Sequence, residues 1–328
     1  MKAVQIKEFG GPEVLKVRSI DEPTVHANEV KVKVYATGLN PNESYTITGT
    51  YGAFKPELPY VPGYDGAGII EEVGEGVEDF SPGDRVWIAG FLAERNTGTY
   101  AEKVVIDKDH LYSLPDNLSM LDGAGLGIPV FTAYRALVQR GKVQAEDTVL
   151  VHGASGSVGS FVVQMAKALG AKVIGTSSTE AGRQEILGLG ADHALKHINE
   201  GNRDELMELT ENNGPDVIIE MLANVNLEMD TQLIADAGRI VIVGSRDTIE
   251  INPRNIMGTE AVVTAVNVGK MPNKDKLAAW KEIRKFLENE SVKALIGAQF
   301  TLDQAREAHQ EMMEGSGNGR TVFLIAEE

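Results

Sequence analysis

The stretch Thr148-Val149-Leu150-Val151-His152-Gly153-Ala154-Ser155-Gly156-Ser157-Val158-Gly159 decides how this chain is read. A short β-prone run enters a turn with glycine at every third position. The apolar spacing that follows, from Ser160 to Leu169, is helical. Strand, glycine turn and helix in that order make a cradle for a diphosphate. Glycine lets the backbone turn tightly and lets a ligand approach, and the helix start offers free N–H groups and the positive end of a dipole. The spacing is G-x-x-G-x-x-G rather than G-x-G-x-x-G, so the reading as a dinucleotide site rests on its βαβ surroundings.

Those surroundings extend both ways. Downstream, Lys172 to Thr176 reads as a strand and Glu180 to Gly188 as a helix. Asp216–Glu220, Arg239–Val243 and Ala261–Val266 read as further buried strands. A helix from Lys274 to Asn289 is expected to bury Leu277, Trp280, Ile283 and Leu287. This alternation predicts a parallel sheet covered by helices. Upstream the pattern is different. Glu29 to Tyr35 alternates polar and apolar, glycine turns punctuate Val61 to Gly74, and Gly83-Asp84 leads into Arg85-Val86-Trp87-Ile88. Many short strands joined by glycine turns predict a small barrel-like domain over residues 1–125. Helical spacing from Val130 to Val138 marks the change, and a doubly wound α/β domain is expected over 126–295. The tail, Thr321 to Ile325, reads as a strand that the pattern assigns to neither domain.

Composition removes several function classes. The 328 residues carry 48 acidic against 31 basic side chains, a net charge of −17. Such a surface repels nucleic-acid backbones and anionic membranes. No apolar run is long enough to span a bilayer. The first residues alternate like a strand and lack the apolar segment of a signal peptide, so a cytoplasmic address is expected. The chain has no cysteine, which excludes disulfides, thiolate nucleophiles and Cys-ligated zinc. The six histidines show no H-E-x-x-H spacing, and no metal site is expected. His152, at a strand end, reads as a packed core residue.

What remains is chemistry that a nicotinamide does itself, with the protein supplying binding and orientation. A quinone is a suitable acceptor because it needs no Lewis acid. Asn40-Pro41-Asn42-Glu43-Ser44-Tyr45 and Gly49-Thr50-Tyr51 hold amide and aromatic groups that would shape such a pocket. NAD-preferring folds end the second strand on an acid that holds the ribose 2′-OH. Here that strand runs into Thr176-Ser177-Ser178-Thr179, with no acid before Glu180, and Arg183, Lys196 and His197 follow. NADPH is therefore expected over NADH.

Further stretches carry a family resemblance. They are Phe9 to Leu15, Leu58 to Gly63 with Asp65, and Gly127 to Leu137. The run Val149 to Gly156 continues it through Gln164 and Lys167, as do Ile218 to Leu227 and Val243 to Arg246 extended to Arg254. Over essentially its whole length the chain resembles the zeta-crystallin-like quinone oxidoreductase branch of the medium-chain dehydrogenase/reductase superfamily. The resemblance implies a GroES-like β-barrel domain, rejoined by about residues 296–328, beside a Rossmann domain. It implies a zinc-free NADPH:quinone reductase. Tyr45 would stand at the nicotinamide, with Asn40, Tyr51 and Thr132 as nicotinamide or substrate neighbours. Ser155, Gly156, Ser157 and Val158 would form the pyrophosphate loop, and Ser178 and His197 would lie near the 2′-phosphate. Asn226, Val243, Gly244, Ser245, Arg246, Val266, Asn267 and Val268 would supply further cofactor contacts. Asn40 would hydrogen-bond a quinone oxygen. One-electron reduction of ortho-quinones to semiquinones is also implied, which the residues do not separate from two-electron hydride transfer. A homodimer or homotetramer is expected, with Ala261–Val266 as a sheet edge that pairs across a two-fold axis.

The same scaffold serves NADPH-dependent alkenal and enone reductases, and no motif here fixes the pocket shape against that alternative. A third reading is non-catalytic: a cofactor-stabilised binding protein, crystallin-like or RNA-binding. The charge of −17 argues against the RNA form.

Overall fold

The structure, a computed structural model, describes residues 1–50, 52, 55–90, 98–315 and 317–327. The chain divides into two compact units, residues 1–128 with 294–328, and residues 129–293.

The first unit opens with an antiparallel pair, β1 (Lys2–Gln5) and β2 (Lys16–Ser19). Then come β3 (Glu29–Gly38), α1 (Pro41–Thr48), β4 (Asp65–Val73), β5 (Arg85–Ala89), β6 (Lys103–Asp107) and β7 (Leu111–Ser113). The ten-residue β3 is the spine. One edge pairs with β4, and the first half of the other pairs with β6. Its alternation explains its burial: Val30, Val32 and Val34 are fully buried and pack with Ile70, Val86, Ile88, Val104 and Ile106. Helix α2 (Met120–Tyr134) breaks at Gly127, whose φ of 37° and ψ of −132° are not helical.

The second unit alternates strand and helix. It contains β8 (Thr148–Val151), α3 (Ser157–Ala168), β9 (Lys172–Thr176), α4 (Glu180–Gly188), β10 (His193–Leu195) and α5 (Arg203–Leu209). It continues with β11 (Val217–Glu220), α6 (Ala223–Leu233), β12 (Arg239–Ile242), α7 (Pro253–Thr259), β13 (Val262–Ala265) and α8 (Asn273–Glu288). The sheet order is β10-β9-β8-β11-β12-β13 and every pair is parallel. That is the Rossmann order, and it reverses between β8 and β11. The central strands are buried on both faces, as their unbroken apolar runs require. Strand β13, expected among the buried strands, is not buried: it lies at the sheet edge, pairs on one side only, and leaves Val262 55% exposed.

Two further expectations need correction. Helix α3 begins at Ser157, before the expected Ser160, because the last residues of the glycine turn already form its first turn. In α8 the buried positions are Lys276, Ala279, Ile283 and Leu287, whereas Leu277 is 58% exposed. Helical geometry turns about 100° per residue, which places Leu277 on a different face from Ile283, six positions away.

After Lys293 the chain returns to the first unit with β14 (Ile296–Thr301), α9 (Ala305–Glu314) and β15 (Arg320–Leu324). Strand β15 lies parallel to β14 and antiparallel to the end of β3, with Val322 opposite Gly38. The tail strand therefore belongs to the first sheet, whose order is β14-β15-β3-β4-β5-β7.

Candidate functional site

In a parallel sheet all carboxyl ends lie along one edge, and in doubly wound sheets ligands bind there, where the strand order reverses. The loop after β8 is built for such a ligand. Gly153 takes a φ of +56° at the turn. A Cβ on Gly159 would fall 2.4 Å from Gly153 O and 2.7 Å from Ala154 Cα, so this glycine lets α3 pack against the loop. Gly156 is different. It is the N-cap of α3 with an ordinary φ of −82°, and a Cβ there would meet nothing nearer than Gly153 O at 3.3 Å. The backbone angles do not demand glycine at 156, a Cβ there would press only on the Gly153 carbonyl, and the residue caps the end of α3 where the positive pole of the helix dipole favours an anion. Ser157 and Val158 form that first turn and are half-buried. Ser155 is buried, its Oγ 3.1 Å from Ser177 Oγ, which ties the loop to the end of β9.

At that strand end Thr176 Oγ1 lies 3.0 Å from His197 Nδ1, and Ser178 is exposed. Arg183 donates from Nη1 to Ser177 O and from Nη2 to Glu180 Oε2. Glu180, the first acid after the strand, is thus occupied by Arg183 and Gln184. Burial first, then the neighbouring His152, holds the His197 imidazole below its usual pKa.

The remaining residues expected at the cofactor follow β11, β12 and β13. Val243 N donates to Glu220 O, and Arg246 N to Asn224 Oδ1, so the loops after β11 and β12 are laced together. Val266 N donates to Ile242 O, which places Val266, Asn267 and Val268 just beyond β13. Asn226, in α6, donates from Nδ2 to Glu220 Oε1 at 3.1 Å. Ser155–Val158, Ser178, His197, Asn226, Val243–Arg246 and Val266–Val268 are thus brought to one edge of one sheet. Thr132, buried in α2, stands on none of these strand ends.

At the point of reversal itself sits a cluster that sequence reasoning did not assemble. His152 Nε2 is 2.8 Å from Asp230 Oδ1 and 3.5 Å from Glu220 Oε2, and all three side chains are buried. Burial disfavours a charged His152, but Asp230 and Glu220 outweigh it and raise the imidazole to about 8. Burial raises Glu220 to about 7. His152 itself is the packed, hydrogen-bonded residue its strand position predicted.

In the first unit, Pro41 and the Asn40–Glu43 capping box start α1, and Gly49 ends it in the left-handed conformation. Tyr45 is half-buried on this helix. Asn40 is 3% exposed, and its amide is fully engaged: Nδ2 donates to Glu43 Oε1 and Asp65 Oδ2, and Oδ1 accepts from Arg320 Nη1. The expected hydrogen bond from Asn40 to a quinone oxygen therefore finds no spare amide hydrogen. Asn40 is a framework residue here. Tyr51 lies outside the described residues.

The framework is extensive. Arg320 Nη2 donates to Asp65 Oδ2 at 2.5 Å, and Ile128 N to Asp65 Oδ1 at 3.0 Å. Burial raises the Asp65 carboxyl, opposed by Arg320, Asn40 and the Ile128 amide. A Cβ on Gly127 would fall 2.0 Å from Asp65 Cγ, so the break in α2 makes room for this carboxylate. Glu43 accepts from Asn40 N, Asn40 Nδ2, Tyr64 N and the Tyr100 hydroxyl. Tyr100 in turn meets His309 Nε2 at 3.1 Å, and His309 Nδ1 lies 3.3 Å from Ser44 Oγ. Burial raises Glu43 to about 7 against its donors and lowers His309 to about 4.

A Rossmann sheet with an open glycine cradle, joined in one chain to a β-rich unit, defines a dinucleotide-binding dehydrogenase or reductase. Two family models match: the zinc-binding dehydrogenase model over residues 157–289 and the alcohol dehydrogenase GroES-like domain over 26–116. The human quinone oxidoreductase is 42% identical over 327 residues, 99% of this chain and 98% of that protein. Among solved structures, an NAD-dependent alcohol dehydrogenase superposes with a TM-score of 0.91 at 29% identity, covering 99% of this chain and 100% of that one. The Escherichia coli quinone oxidoreductase, complexed with NADPH, gives 0.88 at 26% identity over 99% and 100% of the two chains. This chain belongs to the quinone oxidoreductase family of medium-chain dehydrogenases/reductases.

The first family model carries zinc in its name, and the donor set does not fit it. The chain has no thiolate to offer. Among the described residues, the one His/Asp/Glu group close enough to hold a cation is His152, Glu220 and Asp230, whose 2.8 Å contact is a hydrogen-bond distance.

Proposed function

We propose that this protein is a zinc-independent quinone reductase that uses NADPH. The observation that carries the cofactor choice is the end of β9: serines and a histidine, with the first acid already bound to Arg183. A carboxylate there would hold a ribose 2′-OH and repel a 2′-phosphate; hydroxyls and neighbouring basic groups accept the phosphate. Gly156 and the start of α3 receive the pyrophosphate, and Ser178 and His197 stand at the 2′-phosphate. Asn226, Val243–Arg246 and Val266–Val268 complete the contacts along the sheet edge. When bound, NADPH supplies the reducing electrons. The protein's own residues bind and orient. Tyr45 flanks the quinone, and Glu43, saturated by four donors, fixes the start of the helix that carries it. The exposed β13 edge supports a homo-oligomer through strand pairing, which sedimentation equilibrium tests directly.

The test is initial-rate oxidation of NADPH and of NADH by an ortho-quinone, with an enone run in parallel. Quinone turnover selective for NADPH is expected. Ser178→Asp should shift the preference toward NADH by about fivefold to thirtyfold, since one unfavourable charge contact is worth ~1–2 kcal/mol. Tyr45→Ala should lower quinone turnover while leaving the melting temperature nearly unchanged. Enone turnover without quinone turnover would overturn the substrate assignment, and selectivity for NADH would overturn the cofactor assignment.

A further inference from the structure

The cluster at the strand reversal has a chemical problem. Glu220 Oε2, Asp230 Oδ2 and His152 Nδ1 are buried without a hydrogen-bond partner. The three side chains offer ligand atoms within 4.8 Å of one another. With both carboxylates ionised, the one Nε2–H of His152 serves Asp230 Oδ1 and leaves Glu220 Oε2, 3.5 Å from that nitrogen, a buried acceptor without a donor, an arrangement proteins avoid. One proton resolves it. Placed on Glu220 Oε2, it donates toward Asp230, which still accepts from His152 Nε2 at Oδ1. Glu220 Oε1 remains free of the proton and goes on accepting from Leu222 N and Asn226 Nδ2. His197, beyond β10, is a further titratable group that feels the charge of His152.

The consequence concerns Asn226. With Nδ2 held by Glu220, its amide has one orientation, and Oδ1 is left to accept from a hydroxyl or amide of a ligand at the sheet edge. His152 also immediately precedes the glycine loop, which begins at Gly153. We propose that Glu220, held as a neutral acid between Asp230 and Asn226, is a positioning residue that aims the Asn226 carbonyl at the bound dinucleotide. This rests on the assignment of NADPH to the sheet edge.

The experiment measures NADPH dissociation constants by nucleotide fluorescence, with melting temperatures alongside, for the wild type and four variants. Glu220→Gln keeps the acceptor at Oε1 and places an N–H donor where the proton would be. It should bind within about twofold of wild type. Glu220→Met fills the volume without either function, and Asn226→Ala removes the aimed group. Each should weaken binding about fivefold to tenfold, the worth of one hydrogen bond. The double variant Glu220→Met/Asn226→Ala should be no weaker than the weaker single variant by more than about twofold, because the two act as one unit. If Glu220→Gln binds as weakly as Glu220→Met, an ionised carboxylate is required and the proposal falls. Additive losses, or Glu220→Met and Asn226→Ala variants that melt lower yet bind normally, also overturn it. A wild type that does not bind NADPH overturns the cofactor assignment and this inference together. Normal wild-type binding with unaffected variants overturns this inference alone.

Discussion

Replacing Arg320 with Met should strongly destabilise the first unit. The guanidinium and the Asp65 carboxylate are both buried, 2.5 Å apart. Removing the cation strands a carboxylate among Asn40 Nδ2 and Ile128 N, two neutral donors. It also leaves Asn40 Oδ1 without its donor. Breaking a buried pair from one side costs about 3–5 kcal/mol. At ~3 °C per kcal/mol for a domain of this size, the melting temperature should fall by about 10 °C. The loss should shrink as pH falls, since the stranded carboxyl, raised by burial and freed of Arg320, takes up a proton more readily. Differential scanning calorimetry at several pH values reads both effects. The double variant Asp65→Leu/Arg320→Met should recover part of the loss, because it removes both charges while leaving Asn40 Nδ2 and Ile128 N without their acceptor. A single variant melting within about 2 °C of wild type would refute the argument, as would a double variant no better than the single.

Two further outcomes follow from the site. Gly156→Ala, whose Cβ would meet Gly153 O at 3.3 Å, should lose little stability yet weaken NADPH binding about tenfold; Gly159→Ala, whose Cβ would fall 2.4 Å from Gly153 O, should lose much more stability as well, and isothermal titration beside thermal melts separates the two. His309, lowered to about 4 by burial, contributes stability that is present above the unfolded value of 6.5 and is lost as pH falls toward 4. Glu43, raised to about 7, works in the opposite sense over much of that range. The melting temperature of His309→Asn relative to wild type should therefore rise between pH 7.5 and pH 5; a flat difference would show that His309 protonates freely in the folded state.

The Rossmann half was legible because its signals are local. Strand runs of four or five apolar residues and a glycine turn at fixed spacing involve near neighbours, and β9 and α4 lie where the pattern put them. The mistake at Leu277 was also local, and stricter helical angles would have avoided it. What sequence reading missed was assembled from a distance. Asp65 meets Arg320 across 255 positions, and His152 meets Asp230 across 78. Nothing in a linear pattern announces such partners, although Asn40-Pro41-Asn42-Glu43 carries the capping-box spacing that would have located α1 and Glu43. The role expected of Asn40 failed for the same reason: an amide's availability depends on partners that arrive from elsewhere in the chain.

The late return of the chain to its first sheet has a consequence for biosynthesis. Residues 129–293 are contiguous and are all made before β15 is. The first unit is not: one edge of β3 lacks a neighbour along its second half, and Asp65 lacks its counter-ion, until β15 emerges. A nascent chain that has already made the Rossmann sheet therefore still carries an open strand edge and an unneutralised carboxylate awaiting burial. Arrival of β15 with Arg320 closes both at once, so a segment made after the Rossmann unit acts as the latch that commits one made before it.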